Sequence, residues 1–194
     1  MNIEIKPLTP ELIPDYIDFF DHRAFSDGSP NGPCYCTSPS MSAECEAQMV
    51  SEFGYDIKGT LRRYAEKLLS EGKIHGYLAF ENDIAVGWCN AGDRDAYVRW
   101  IPDCALENSI GKTLSVLCFA IAPEYRGLGI AYSLLEHIIA DANVRGYAAI
   151  EGYARKLDQR HFTDYNGPIH LFEKAGFAEI TQSGKLVIMR KRLR

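Results

Sequence analysis

The sequence of 194 residues contains no apolar run long enough to cross a bilayer, which excludes a helical membrane span from the expectations. It also lacks an excess of positive charge. Lys and Arg number 21 against 26 Asp and Glu, giving a formal net charge of -5 and an isoelectric point near 5.6. A general nucleic-acid binder carries a basic face, so neither a nucleic-acid nor a membrane partner is expected. The opening residues, "MNIEIKPLTPELIPDY", lack a charged start followed by an apolar core, so no secretory signal is expected. The six cysteines are accordingly expected to be reduced thiols of a cytoplasmic protein and not a disulfide framework. Repeats, low-complexity tracts and linker-like stretches are missing too, which leaves a single domain over residues 1–194.

What is there reads as an α/β (α+β) chain. A short strand at Ile3–Ile5 precedes a helix near Pro10–Asp21, where Leu12, Ile13, Tyr16, Ile17 and Phe20 form an apolar stripe. Glycines and prolines make Ser26–Ser40 a loop. Helices are expected over Ser42–Phe53 and Lys58–Ser70, then two strands, "HGYLAFEN" and "IAVGWCNA", joined by the turn Glu81-Asn82-Asp83. An irregular piece around "DRDAYVRWIPD" leads to Thr113–Ile121, a continuous apolar run that fits a strand buried on both faces. A helix with Ala131, Leu134, Leu135, Ile138 and Ala142 at helical spacing follows. The strand "YAAIEGY", the short helix "PIHLFEKAG" closed by Gly176, and a final hairpin in "FAEITQSGKLVIMR" complete the chain.

The chemistry is concentrated in "FAIAPEYRGLGIAYSLLEH", where a strand enters a helix through Arg126-Gly127-Leu128-Gly129. The first amides of such a helix have no intrahelical partners and the dipole makes that end electropositive, so phosphate oxygens fit there. A tight connection whose glycines only relieve backbone strain is the plainer alternative. Arg126 adds charge, Pro123 fixes the entry and Ala131 leaves room for close approach. The dinucleotide fingerprint fails because Tyr132 stands in the third glycine's place, although Glu151 lies at a suitable distance. "LENSIGKT" fails as a Walker loop because Leu106 replaces the first glycine and Thr113 opens a strand.

The pattern from Arg126 to Ala131, preceded by "AIAPEY", resembles the acyl-CoA pyrophosphate loop of the GNAT superfamily of N-acetyltransferases, and "LFEKAGF" is similar to that family's L-Y-x-x-x-G-F helix. The stretch "EGKIHGYLAFENDIAVGWCNAGDRDAY" also resembles a bacterial branch of the superfamily. The resemblance implies one mixed, mostly antiparallel sheet of six to seven strands with helices on both faces and two adjacent parallel strands splayed into a cleft. It further implies acetyl transfer from acetyl-CoA to a primary amine by direct attack in a ternary complex, with no metal. Phe119, Ala120 and Ile121 would meet the pantetheine arm, an amide near Ile121 would polarise the thioester carbonyl, and Arg126, Gly127, Leu128, Gly129, Ile130 and Ala131 would wrap the pyrophosphate. Asn166 and Phe172 would complete the CoA site.

Two departures bear on catalysis. The tyrosine that often protonates the leaving thiolate is Phe172 here, and Tyr165 stands at the spacing of the usual asparagine, with Asn166 next. The expected catalytic residues are therefore Glu151 as base, directly or through water, and Tyr165 as acid, with Tyr153 or water as alternatives. A partly buried Glu151 paired with a nearby Arg or Lys is the competing reading. Cys34-Tyr35-Cys36 lacks common zinc-knuckle spacing, even with Cys45 nearby, so reduced loop thiols are expected. Cys89 and Cys118 read as core residues, and His75, His161 and His170 as strand-end or loop residues. Tyr35, Trp88, Tyr97 and Trp100 are core aromatics or the walls of an acceptor pocket. The acceptor, a small-molecule or peptide amine, has no legible motif, a homodimer stays open, and an acyl-CoA-binding sensor without turnover is the alternative function.

Overall fold

A computed structural model describes residues 2–29, 32, 34–41, 51, 57–156 and 165–193. The helix expected over Ser42–Phe53 lies outside them save for Ser51, as do Cys45 and His161. The strands are β1 (Ile3–Pro7), β2 (Gly76–Glu81), β3 (Ile84–Asp93), β4 (Thr113–Ile121), β5 (Ala149–Arg155), β6 (Ala178–Ser183) and β7 (Leu186–Arg192). They make one sheet in the spatial order β1-β2-β3-β4-β5-β7-β6. All neighbours are antiparallel except β4 and β5. The turn from β2 to β3 holds Asn82 and Asp83 at φ 49° and 63°, left-handed positions that these two residue types tolerate better than most.

The helices are α1 (Ile13–His22), α2 (Ile57–Ser70), α3 (Asp103–Glu107), α4 (Ile130–Val144) and α5 (Ile169–Lys174). Side chains alternate across β2, and each set meets its own helical layer. Leu78 and Phe80 pack with Tyr16 and Phe19 of α1 and Tyr64 and Leu68 of α2. Tyr77 and Ala79 join the cluster that holds Leu134, Leu135 and Ile138 of α4 and Phe172 of α5. This two-sided cover explains the apolar continuity of β4.

Three expectations shift in detail. The strand read from "YAAIEGY" begins two residues later and runs to Arg155. Pro10–Leu12 is a separate 3-10 turn before α1. The irregular piece is instead a 3-10 stretch over Arg94–Trp100, kinked at Tyr97, followed by α3. Its Tyr97, with Ile101 and Ala105, packs on Leu117, Tyr153 and Ile188, so a third small core is built where β4 and β5 meet.

That meeting is short. Thr113–Val116 pair with Ala149–Gly152 and the register ends there. Beyond it β4 follows β3 to Ile121 while β5 follows β7 to Arg155.

Candidate active site

Where β4 and β5 separate, one edge of β4 is left without a strand partner. Main-chain groups of alternate residues face the same edge, so those of Leu117, Phe119 and Ile121 point into the gap while those of Cys118 and Ala120 point to β3. The segment after the undescribed residues 157–164 fills part of this edge. Phe119 N–H donates to the Tyr165 carbonyl at 2.6 Å, and Asn166 Nδ2 donates to the Leu117 carbonyl at 3.1 Å. The Ile121 carbonyl accepts from Arg126 Nε at 3.1 Å. Of the three strand residues expected to meet pantetheine, only Ile121 thus keeps its amide toward the gap without such an insert.

A cavity of about 530 Å³ lies against this gap, lined by Leu117–Ile121, Tyr153, Tyr165 and Asn166. Its other walls are mostly apolar, with Phe20, Phe25, Trp100, Leu171 and Leu186 among them, interrupted by Ser29, Ser38, Arg126 and Arg155. Trp100 therefore matches the acceptor-pocket alternative, whereas Trp88 and Tyr97 are core residues with almost no exposure. Tyr35 is buried and gives its hydroxyl to Asp21.

At the end of β4 the chain turns through Pro123–Tyr125 and the two glycines into α4. Gly127 and Gly129 hold φ 78° and 88°, with no atom within 4 Å of where a Cβ would stand. Backbone conformation, and not crowding, requires glycine at both. Ser133 N–H to the Gly129 carbonyl, 3.0 Å, is the first bond of the helix. The amides of Gly129, Ile130, Ala131 and Tyr132 are consequently left without intrahelical acceptors. Ala131 lines the cavity and Leu128 is exposed. Arg126 is already engaged, with NH1 on Asp27 Oδ2 at 2.5 Å and NH2 on the Ala24 carbonyl at 3.4 Å. The guanidinium in turn holds the Asp27 carboxyl below the usual aspartate range.

Glu151 has no solvent exposure. Its Oε1 receives Arg190 Nε at 2.8 Å and NH2 at 2.5 Å, and Arg94 NH1 at 3.4 Å. Its Oε2 receives the Tyr153 hydroxyl at 2.9 Å and shares Arg94 NH1 at 3.5 Å. A carboxylate offers about four lone-pair sites, and these donors take them, so Glu151 cannot contact an acceptor amine directly in this arrangement. The buried ion pair read as the competing possibility is what the structure displays, and Tyr153, not Glu151, faces the cavity. The Tyr153 hydroxyl also bonds Ser115 Oγ at 2.9 Å, and burial pushes its pKa well above the usual tyrosine range, so it holds its proton.

Phe172 is fully buried, 6.4 Å from the Phe119 ring and 5.4 Å from Phe177 between centroids. Its ring occupies the space that a side chain at Gly152 would need. It braces β5 from behind and is not among the residues that line the cavity. Asn166 does line the cavity, with Oδ1 buried and without a hydrogen-bond partner. His75 is half-buried, which depresses its basicity, and His170 is exposed on α5. Cys89 lies in the core, while Cys34, Cys36 and Cys118 border the cavity. Among the described residues, no three His, Cys, Asp or Glu side chains are arranged to hold a metal ion.

Sequence reasoning missed Arg94, Arg190 and the approach of Cys36 to Cys118. Only a long-range register places these residues, and no local pattern announces it.

Comparison with known proteins bears on the cleft. A family model described as an acetyltransferase (GNAT) domain matches residues 72–179, more than half of the chain. No curated protein sequence matches. Among solved structures, the PaiA N-acetyltransferase from Thermoplasma acidophilum in complex with coenzyme A aligns at 18% identity and TM-score 0.52, covering 99% of both chains. A GNAT-family structure from Desulfovibrio desulfuricans aligns at 15% identity and TM-score 0.58, covering 98% of this chain and 99% of the other. YncA from Salmonella typhimurium, solved with its cofactor acetyl-CoA, aligns at 14% identity and TM-score 0.50 over 100% of this chain and 95% of its own. At such identities the structures establish shared architecture. Together with the domain match, the parted parallel strands and the glycine turn into α4, they establish that the chain belongs to the GNAT acetyltransferase family.

Proposed function

We propose that this protein moves an acetyl group from acetyl-CoA to a primary amine by direct attack in a ternary complex. The observation that carries this reading is the separation of β4 from β5 beside an apolar cavity, with the orphan amides of α4 where β4 ends. Those amides and the helix dipole suit the pyrophosphate of CoA. The Ile121 amide, facing the gap, is placed to stabilise the oxyanion that forms as the thioester carbonyl is attacked. The apolar walls exclude water and favour an acceptor with an apolar body, whether small molecule or peptide.

Proton transfer divides among three groups. Tyr165 lines the cavity and is 36% exposed, so it supplies the proton to the departing thiolate. Tyr153 commits its own proton to Glu151. Glu151 is a positioning residue, holding the Tyr153 hydroxyl and two guanidiniums in place, and the acceptor's proton leaves through water.

A second reading is favoured by one observation. Phe172 stands where relatives carry the proton donor, and a chain that only binds acyl-CoA as a sensor would not need one. CoA release and acetyl transfer, measured across a panel of aliphatic, aromatic and peptide amines, separate the two. Turnover that falls on the order of a hundred-fold in Tyr165→Phe supports the transferase and its acid. Tight acetyl-CoA binding with no turnover for any amine supports the sensor.

A further inference from the structure

Cys34, Cys36 and Cys118 border the cavity, and nothing in the acetyl-transfer reading uses them. Cys36 lies in the segment that crosses the α1 side of the sheet, 82 residues from Cys118 on β4, yet their sulfurs stand 2.7 Å apart. Both are free thiols. Asn90 of β3, wholly buried, points Nδ2 at Cys36 Sγ from 3.5 Å. Cys36 adopts φ 50°, a left-handed backbone that is uncommon for a residue with a side chain and is what turns its sulfur toward β4.

We propose that Cys36 and Cys118 form a reversible dithiol site in the cleft wall, oxidised to a disulfide by hydrogen peroxide or a comparable small hydroperoxide. Cys36 is the attacking thiol. Hydrogen bonding from Cys118 outweighs burial and holds it below the usual thiol range, and Cys118 stays protonated. The Cys36 sulfur displaces one oxygen of the peroxide, giving a Cys36 sulfenic acid and water, and the O–O bond is broken. Cys118 then attacks the sulfenic sulfur, the S–S bond forms, and a second water leaves. Two thiols lose two electrons and two protons in all, and the peroxide receives them. Two molecules of a small thiol such as glutathione return the pair to dithiol by exchange and leave as their own disulfide.

The geometry separates this pair from the other thiols. Cys89 is enclosed in the α4 core, where burial raises its thiol well above the usual range and its sulfur donates to the Asn90 carbonyl at 3.8 Å. Cys34 lies close enough for its sulfur to accept from Cys36 N–H at 3.3 Å, but burial pushes its thiol up to about 12, so it is a poor nucleophile. Oxidation would fasten the Cys34–Met41 segment to β4 and fix one wall of the acceptor side. The chemistry does not depend on acetyl transfer, and its test is independent of activity.

The full-length protein is purified under reductant, desalted, treated with one equivalent of hydrogen peroxide, and blocked with an alkylating reagent. Intact mass and peptide mapping are then read. The expected result is a loss of two hydrogens and one cross-linked pair joining the peptides of Cys36 and Cys118, removed by glutathione. Cys118→Ser should leave a Cys36 sulfenic acid that dimedone traps. A cross-link of Cys34 to Cys36, oxidation of single cysteines to sulfinic acid without a cross-link, or an unmodified wild-type protein overturns the proposal. Because wild type alone decides the cross-link, a Cys118→Ser variant that folds poorly does not weaken the test.

Discussion

Replacing Glu151 by Gln changes one atom of the buried cluster and removes its only negative charge. Arg190 can keep both bonds, since the amide oxygen replaces Oε1. The amide nitrogen, standing for Oε2, is a donor facing donors. Tyr153 can rotate its hydroxyl toward Ser115 and accept, but Arg94 has no such freedom. Two guanidiniums, each about 6% exposed, then share no counter-charge. Breaking a buried pair from one side costs about 3–5 kcal/mol. For a chain of this length each kcal/mol moves the melting temperature by roughly 2–4 °C, so Glu151→Gln should melt about 6–20 °C below wild type. Calorimetric melting and the pH-rate profile are measured on the same preparations. At temperatures where the variant stays folded, the acidic limb of the profile should persist. A melting point within about 2 °C of wild type, joined to a loss of turnover on the order of a hundred-fold and loss of that limb, would refute the positioning role and make Glu151 the base. The double variant with Arg190→Met should be less damaged than the sum of its parts, because the cost is an unbalanced charge.

Gly129→Ala and Gly129→Glu share the backbone strain of a left-handed φ, about 1–3 kcal/mol, but only the second puts a carboxylate beside the helix amides. Repulsion of a phosphate at about 5 Å is worth roughly 1–3 kcal/mol, so calorimetry should show acetyl-CoA binding about 5- to 150-fold weaker for Glu than for Ala. Equal affinities would remove the pyrophosphate from this loop. Gly152→Ala would bring a Cβ to 2.1 Å from Phe172 Cε1, and should cost about 1–3 kcal/mol in denaturant unfolding, partly restored by Phe172→Leu. The Asp27 carboxyl, depressed by Arg126, stabilises its contact above the ordinary aspartate value and ceases to do so as pH falls through the lower folded value. Asp27→Asn should therefore differ from wild type at neutral pH and converge with it in strong acid. It should also bind acetyl-CoA about 2- to 10-fold tighter at low salt, through a freed Arg126, with the gain shrinking as salt rises.

The turn into α4 was legible because local sequence determines it, with two glycines at left-handed positions between a strand and an apolar helix. The β2–β3 hairpin was legible for the same reason. The Arg94–Trp100 stretch was not, because its 3-10 geometry follows from Tyr97 packing on β4 and β5 and not from any period of its own. Glu151 could be placed on its strand, yet its partners lie 57 and 39 residues away, and alternation alone cannot say which charges a sheet register brings together. Phe172 read as a lost catalytic group. Its ring fills the space beside Gly152, which pattern reasoning sees only as a strand glycine.

The brief contact between β4 and β5 also has a meaning for assembly. From β1 to β4 each strand is hydrogen-bonded to the next in chain order, whereas β5, β7 and β6 form a separate three-stranded group held to it by Thr113–Val116 and Ala149–Gly152. The molecule is two half-sheets joined at a short seam. In hydrogen exchange such a seam marks the border between cooperative units, and the amides of Ala149–Gly152 facing β4 should open together with it. A bound ligand lying along the gap would bridge the halves, so the protein would gain not only heat resistance but a single unfolding unit in place of two.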